Sequence, residues 1–78
     1  MLKKAEKFFA KEYRMLTTTM RDKPELITSE SCWYSIQRCD AVFLFVLDLL
    51  DNGKDIDELD IIHRRYFEKF KKLLLTNQ

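Results

Sequence analysis

His63, the one histidine of the chain, is the side chain best suited to acid-base or metal chemistry. Asp60 lies three residues before it, a spacing at which a carboxylate on a helix can orient an imidazole. A zinc or hydrolytic site needs further ligands or a nucleophile, and the sequence offers no Cys, His or Glu cluster at a suitable spacing. A helical wheel places His63 on an apolar face beside Leu59 and Phe67. We therefore interpret it as a packed, hydrogen-bonded structural residue.

Two cysteines, Cys32 and Cys39, are the other candidates for chemistry. On one helix a spacing of seven residues separates their Cα atoms by about 10 Å, which is beyond the reach of a disulfide. A redox sensor needs exposure and a positive neighbour, and Arg38 points to a different side of a helix. Buried free thiols in a reducing compartment are the favoured interpretation.

The sequence contains no recognisable catalytic motif. With one glycine in 78 residues, the chain has no Gly-rich loop that could hold a phosphate or a dinucleotide. No cofactor motif or metal-ligand spacing is present either. We predict a protein that is not an enzyme and has no cofactor or metal, with a site built from two copies of the chain as the open alternative.

Length and composition favour one small helical domain over residues 1–78. A core of this size stabilises a fold by only a few kcal/mol, so self-association is common among such chains. One glycine and one proline leave almost no material for β-turns. The predicted fold class is therefore all-α.

The first helix is predicted over about residues 2–20, because apolar residues recur there every three or four positions. Pro24 disfavours a helical conformation at Lys23, so this helix should end between residues 19 and 22. The segment RDKPELITSES, which follows, is expected to connect the first helix to the second.

Capping residues place the other two helices. The second is predicted over about residues 29–51, with Thr28 or Ser29 as its N-cap and Gly53 ending it in a left-handed conformation. The third is predicted over about residues 55–75, with a capping box between Asp55 and Glu58. Short links favour a small antiparallel three-helix bundle with up-down-up topology, and dimerisation could complete its core.

The second helix is apolar over more of its surface than two neighbouring helices can cover. On a helical wheel its polar residues occupy an arc only about 80° wide, and Trp33 and Leu44 fall inside that arc. Three covers remain open: the connector with long Lys and Arg stems, a second copy of the chain, or a different protein. A homodimer explains more of the excess than the connector does. The apolar arc has a central seam of Cys32, Ile36, Cys39, Phe43, Val46 and Leu50, widened by Ala41, Val42, Phe45 and Leu49.

Charge is ordered along the chain although the net charge is only +1. Residues 1–23 carry seven basic and three acidic side chains, residues 24–62 carry two and nine, and residues 63–78 carry five and one. An up-down-up bundle brings its two basic segments to one end. That distribution is typical both of a solvated surface that complements helix dipoles and of a docking site for an anionic partner. We call this end the basic pole, formed by Arg14, Arg21, Lys23, Arg65, Lys69, Lys71 and Lys72.

The predicted function is a small non-enzymatic protein-protein interaction module of the adaptor, inhibitor or regulator kind. It self-associates as a homodimer through the second helix and binds a further protein, for which the basic pole favours an acidic surface. The alternative is a nucleic-acid-binding regulator that uses the basic pole, although no recognisable helix-turn-helix is present. The predicted partner-binding residues are Arg14, Arg21, Lys23, Trp33, Leu44, Arg65, Lys69 and Lys72.

Membrane and targeting signals are not evident in the sequence. The longest apolar run covers residues 41–47, far below the roughly 20 residues of a membrane span. The first 16 residues contain no continuous apolar segment of signal-peptide length. These features predict a cytoplasmic protein without a membrane span.

Overall fold

Three α-helices make up most of the chain, in a computed structural model that describes residues 1–76. They are α1 (Leu2–Asp22), α2 (Ser29–Leu49) and α3 (Gly53–Thr76), with a short 3-10 turn at Pro24–Leu26. The described part of the chain contains no strand. Each helix packs against the other two. Helix α2 runs antiparallel to α3, because Trp33 near its start lies beside Lys71 whereas Asp40 further along pairs with His63. The predicted all-α three-helix bundle is confirmed.

Proline ends α1 where the sequence predicted. The backbone leaves the helix at Lys23, with φ −142° and ψ 68°, directly before Pro24. The Lys23 amide donates to the Thr19 carbonyl at 2.7 Å, which satisfies one of the acceptors left over at the helix end. A helical conformation at Lys23 would bring its backbone against the proline ring.

A reciprocal capping box starts α2 at Thr28. The Thr28 hydroxyl accepts a hydrogen bond from the Ser31 amide at 3.2 Å, and the Ser31 hydroxyl accepts one from the Thr28 amide at 3.4 Å. Two backbone donors without helical partners are thereby satisfied. Of the two predicted N-caps, Thr28 is the correct one.

The junction between α2 and α3 differs from the prediction. Helix α2 ends at Leu49, and Gly53 is the first residue of α3 rather than a left-handed cap. The Asn52 side chain accepts a hydrogen bond from the Asp55 amide at 2.9 Å, and its own amide group donates to the Asp55 carboxylate. The predicted capping box of Asp55 with Glu58 is wrong, because Asn52 caps the helix one turn earlier.

The core lies along the axis where the three helices meet. Phe9, Cys32, Leu59 and Phe70 are shielded almost completely from solvent. Most of the predicted seam of α2 is buried as expected, and the rest of it packs partly buried against the core. The further buried apolar residues are Ala5, Leu16, Ile36, Cys39, Val46, Ile62 and Leu74.

Candidate interaction surface

Large apolar side chains on the side of α2 away from the core remain in contact with solvent. Phe45 and Leu49 were expected to widen the buried seam, yet neither α1 nor α3 covers them. The turn at residues 24–26 packs on α1, so it leaves this side of α2 open. We call this surface the α2 outer face; around the exposed Ala41 it presents Trp33 (50% exposed), Tyr34 (61%), Leu44 (60%), Phe45 (66%) and Leu49 (50%).

Apolar as it is, α2 does not meet the requirements of a helix that crosses a membrane. Within residues 1–76 no helix combines the length and hydrophobicity needed to cross a bilayer. The α2 outer face also carries the exposed polar residues Gln37, Arg38 and Asp48 between its apolar side chains. A mixture of aromatic, aliphatic and a few charged residues is typical of a protein-protein interface.

Arg38 borders the α2 outer face on its α1 side. Its Nε lies 2.6 Å from the Glu12 Oε1 in an ion pair, and the Glu12 side chain is only 8% exposed whereas that of Arg38 is 49% exposed. The guanidinium also lies 5.5 Å from the ring centre of Phe8 and 5.7 Å from that of Tyr34. A buried carboxylate and two aromatic rings therefore fix the position of this cation.

A shallow cleft of about 260 Å³ borders the α2 outer face on its α3 side. Trp33 lines it together with Phe67, Lys71 and Leu75 of α3. The Lys71 ammonium lies 5.5 Å from the Phe67 ring centre and 3.8 Å from a Glu68 oxygen. Apolar surface therefore continues from α2 onto the end of α3, where Leu75 is 71% exposed.

His63 is packed and hydrogen-bonded, as predicted, but with a different carboxylate. Its Nε2 lies 2.7 Å from the Asp40 Oδ1 of α2, and its ring stacks on Phe43 with centres 4.3 Å apart. Asp60, the neighbour in sequence, instead accepts a hydrogen bond from Arg64 at 3.1 Å. The His63 side chain therefore ties α3 to α2.

Both cysteines are buried free thiols, as predicted. Burial raises the pKa of the Cys39 thiol to about 12, with smaller contributions in the same direction from the nearby carboxylates of Glu12 and Asp40. Burial also raises the pKa of Cys32. Neither thiol has the low pKa of a reactive nucleophile. Within residues 1–76 no three His, Cys, Asp or Glu side chains are grouped closely enough to hold a metal ion.

The residues of the basic pole are exposed, and they lie on the C-terminal halves of α1 and α3 and at the end of α1. Tyr13 of α1 contacts Tyr66 and Phe70 of α3, and the Lys69 ammonium lies 5.3 and 4.8 Å from the ring centres of Tyr13 and Tyr66. Arg21 pairs with its neighbour Asp22 at 2.9 Å. Several of these cations are thus engaged locally, and their role in binding a partner stays a prediction.

The predicted partner-binding residues do not form one patch. Trp33 is the fifth residue of α2 and lies in one cleft with Lys71 of the basic pole. Leu44 lies eleven residues further along α2, about 16 Å away at the helical rise. Sequence reasoning missed Tyr34, Phe45, Leu49 and Arg38, which complete the α2 outer face.

Comparison with known proteins adds no homologue to these observations. No protein-family model, no curated protein and no solved structure matches the chain significantly.

Proposed function

We propose that this chain is a non-enzymatic protein-protein interaction module that forms a homodimer through the α2 outer face. The observation that carries the proposal is the exposure, by half or more, of five large apolar side chains on one helix of 21 residues. Contiguous exposed apolar patches of this kind mark interaction sites in soluble proteins. The proposal concerns association, with no chemistry assigned to the chain.

The size of the face supports a dimer of modest affinity. A large apolar side chain buries roughly 200 Å², so five that are about half exposed offer on the order of 500 Å² per copy. Two copies together would bury about 1,000 Å², the lower end of specific protein interfaces. We therefore expect a dissociation constant in the micromolar range rather than an obligate dimer.

The charge of the face favours a second copy over a strongly charged partner. Arg38 and Asp48 are the charged residues among its exposed apolar side chains, so the face carries one positive and one negative charge. A highly acidic or highly basic partner would leave one of them facing a like charge. A surface of balanced charge can instead be complementary to itself.

Light scattering over a range of concentrations tests the proposal. We expect the measured mass to rise from 9.5 kDa toward about twice that value between low micromolar and high micromolar protein. Phe45→Glu should hold the protein at the monomer mass while its helical circular dichroism is unchanged, because Phe45 is exposed and a charge there would be buried on association.

Ile61→Glu is the matched control, because Ile61 is 58% exposed on α3 and lies outside the α2 outer face. It should dimerise like the unmodified chain. A monomer mass at every concentration contradicts the dimer, and equal dissociation by both variants moves the interface away from α2.

The acidic partner and the nucleic-acid alternative both require the basic pole and stay predictions. A fluorescence anisotropy titration with duplex DNA separates them. A logarithm of the binding constant that falls linearly with the logarithm of salt concentration supports nucleic acid, because basic side chains that bind phosphates release counterions. Arg21, Lys69 and Lys71 already contact Asp22, the Tyr66 ring and Glu68 within the chain. These contacts count against binding of nucleic acid by the same cations.

A further inference from the structure

We infer that two copies pair their α2 helices antiparallel, about a two-fold axis level with residue 43, so that Arg38 of each copy faces Asp48 of the other. This inference rests on the proposed homodimer and adds its orientation and register. In such a pairing, residues equally far before and after position 43 face each other. Three features of the α2 outer face point to it: its charge order, its alternation of side-chain size and the fixed position of Arg38.

Charge order selects the antiparallel orientation. Arg38 is the one basic residue between Ser29 and Leu49, and Asp48 follows it ten residues later, about 15 Å along the helix. The Asp40 carboxylate is occupied by His63. A parallel pairing would oppose Arg38 with Arg38 and Asp48 with Asp48. The antiparallel pairing replaces these two repulsions by two attractions.

The alternation of small and large side chains along the α2 outer face favours the same register. Ala41 is exposed and small, and Phe45 is 66% exposed one turn further along the same face. About an axis level with residue 43, each Phe45 ring lies over the Ala41 of the other copy. Large side chains that fill spaces above small ones let two helices approach closely. A parallel pairing would place Phe45 on Phe45 and leave a gap between the two alanines.

Arg38 can pair with Glu12 of its own chain and with Asp48 of the other copy at the same time. The Glu12 carboxylate is paired with its Nε, and a guanidinium has five N–H donors in all, so the two terminal nitrogens can bind a second carboxylate. Because Glu12 is buried and holds the guanidinium from below, little conformational freedom is lost when Asp48 of another copy approaches. The pair within the chain therefore prepares the pair between chains.

A charge-exchange experiment tests the register directly. Both variants carry Glu12→Gln, because a glutamate introduced at position 38 would otherwise face the buried carboxylate of Glu12. One adds Arg38→Glu and the other adds Asp48→Lys. Each alone opposes like charges twice, which we expect to raise the dissociation constant roughly tenfold over the Glu12→Gln parent. An equimolar mixture opposes Glu with Lys and Asp with Arg, so it should form the mixed dimer, detected by native mass spectrometry.

The outcomes separate the register from the dimer itself. If the parent dimerises and the mixture gains nothing over the separate variants, the antiparallel register is overturned while the proposed function stands. If the unmodified chain is a monomer at every concentration, the proposed function fails and the register falls with it.

A second measurement leaves Arg38 and Glu12 unchanged. Leu44→Cys places a thiol close to the axis, whereas Gln37→Cys places one about 18 Å from its equivalent in the antiparallel dimer. The native thiols are buried, so a short bifunctional thiol reagent meets the introduced ones first. We expect linked dimers from Leu44→Cys and few from Gln37→Cys. Equal linkage of both variants indicates a parallel pairing and overturns the inference.

Discussion

Removing Arg38 should destabilise the fold through a residue on a different helix. Arg38→Met keeps most of the apolar stem but deprives the Glu12 carboxylate, 8% exposed, of the cation at 2.6 Å. Breaking a fully buried ion pair from one side costs about 3–5 kcal/mol. Because Arg38 is 49% exposed, water can replace part of the lost interaction. We therefore expect a smaller loss, about 2–3 kcal/mol in the free energy of unfolding.

A double-mutant cycle separates the charge effect from the loss of packing over Phe8 and Tyr34. Glu12→Gln removes the charge and keeps the volume, so Arg38→Met should cost less in that background, by about 1–2 kcal/mol. Urea unfolding followed by circular dichroism, at one fixed protein concentration, gives each free energy. If the two substitutions add within about 0.5 kcal/mol, the buried carboxylate does not depend on Arg38 and the reasoning is refuted.

Arg64→Met is the matched control for this cycle. Arg64 also donates to a carboxylate, that of Asp60 at 3.1 Å, but the pair is solvent-accessible and lies within one helix. Exposed pairs at this spacing contribute about 0.3–0.5 kcal/mol. A loss as large as that of Arg38→Met would show that burial of the acid is not the cause.

Two further predictions concern the thiols and the basic pole. Because the pKa of Cys39 is raised from 9.0 to about 12, the unfolded chain loses this proton first as pH rises. The free energy of unfolding should therefore fall between these pH values, by up to about 1.4 kcal/mol per unit, and less steeply in Cys39→Ala; equal slopes in urea unfolding contradict this. Lys69→Glu should destabilise by about 1 kcal/mol more than Arg65→Glu, since Lys69 lies over two aromatic rings; equal thermal melts would contradict it.

Helix number, order and most helix ends could be predicted because their signals are local. Pro24 acts on the residue before it, and Thr28 acts within its own turn, so a short window of sequence contains the whole cause. The α2–α3 junction was harder to predict because Asn52 and Gly53 suit either the end of one helix or the start of the next. The Asn52 side chain decides the matter by capping the Asp55 amide.

The two long-range pairs lie outside the reach of local patterns. Asp40 and His63 are 23 residues apart, and Glu12 and Arg38 are separated by 26. One signal was nevertheless present. Glu12 follows Phe9 by three residues on the buried stripe of α1, where a carboxylate needs a cation. Arg38 is the one basic residue that α2 can supply as its partner, but α3 carries several, so the sequence alone does not choose between the two helices.

The excess of apolar residues on α2 follows from geometry as well as from composition. In a three-helix bundle each helix has two neighbours, so it can bury the arc that faces them and little more. Phe45 and Leu49 lie beyond that arc, and within residues 1–76 no further helix or strand covers them. Arg38 lies on the same side of α2 as these residues, and it is paired with the buried Glu12. The interior of the bundle thus fixes a charge on the same surface that the bundle leaves uncovered. That coupling supports the proposal that two copies pair through this face in one defined register, because a charge held at a fixed position favours one alignment over others.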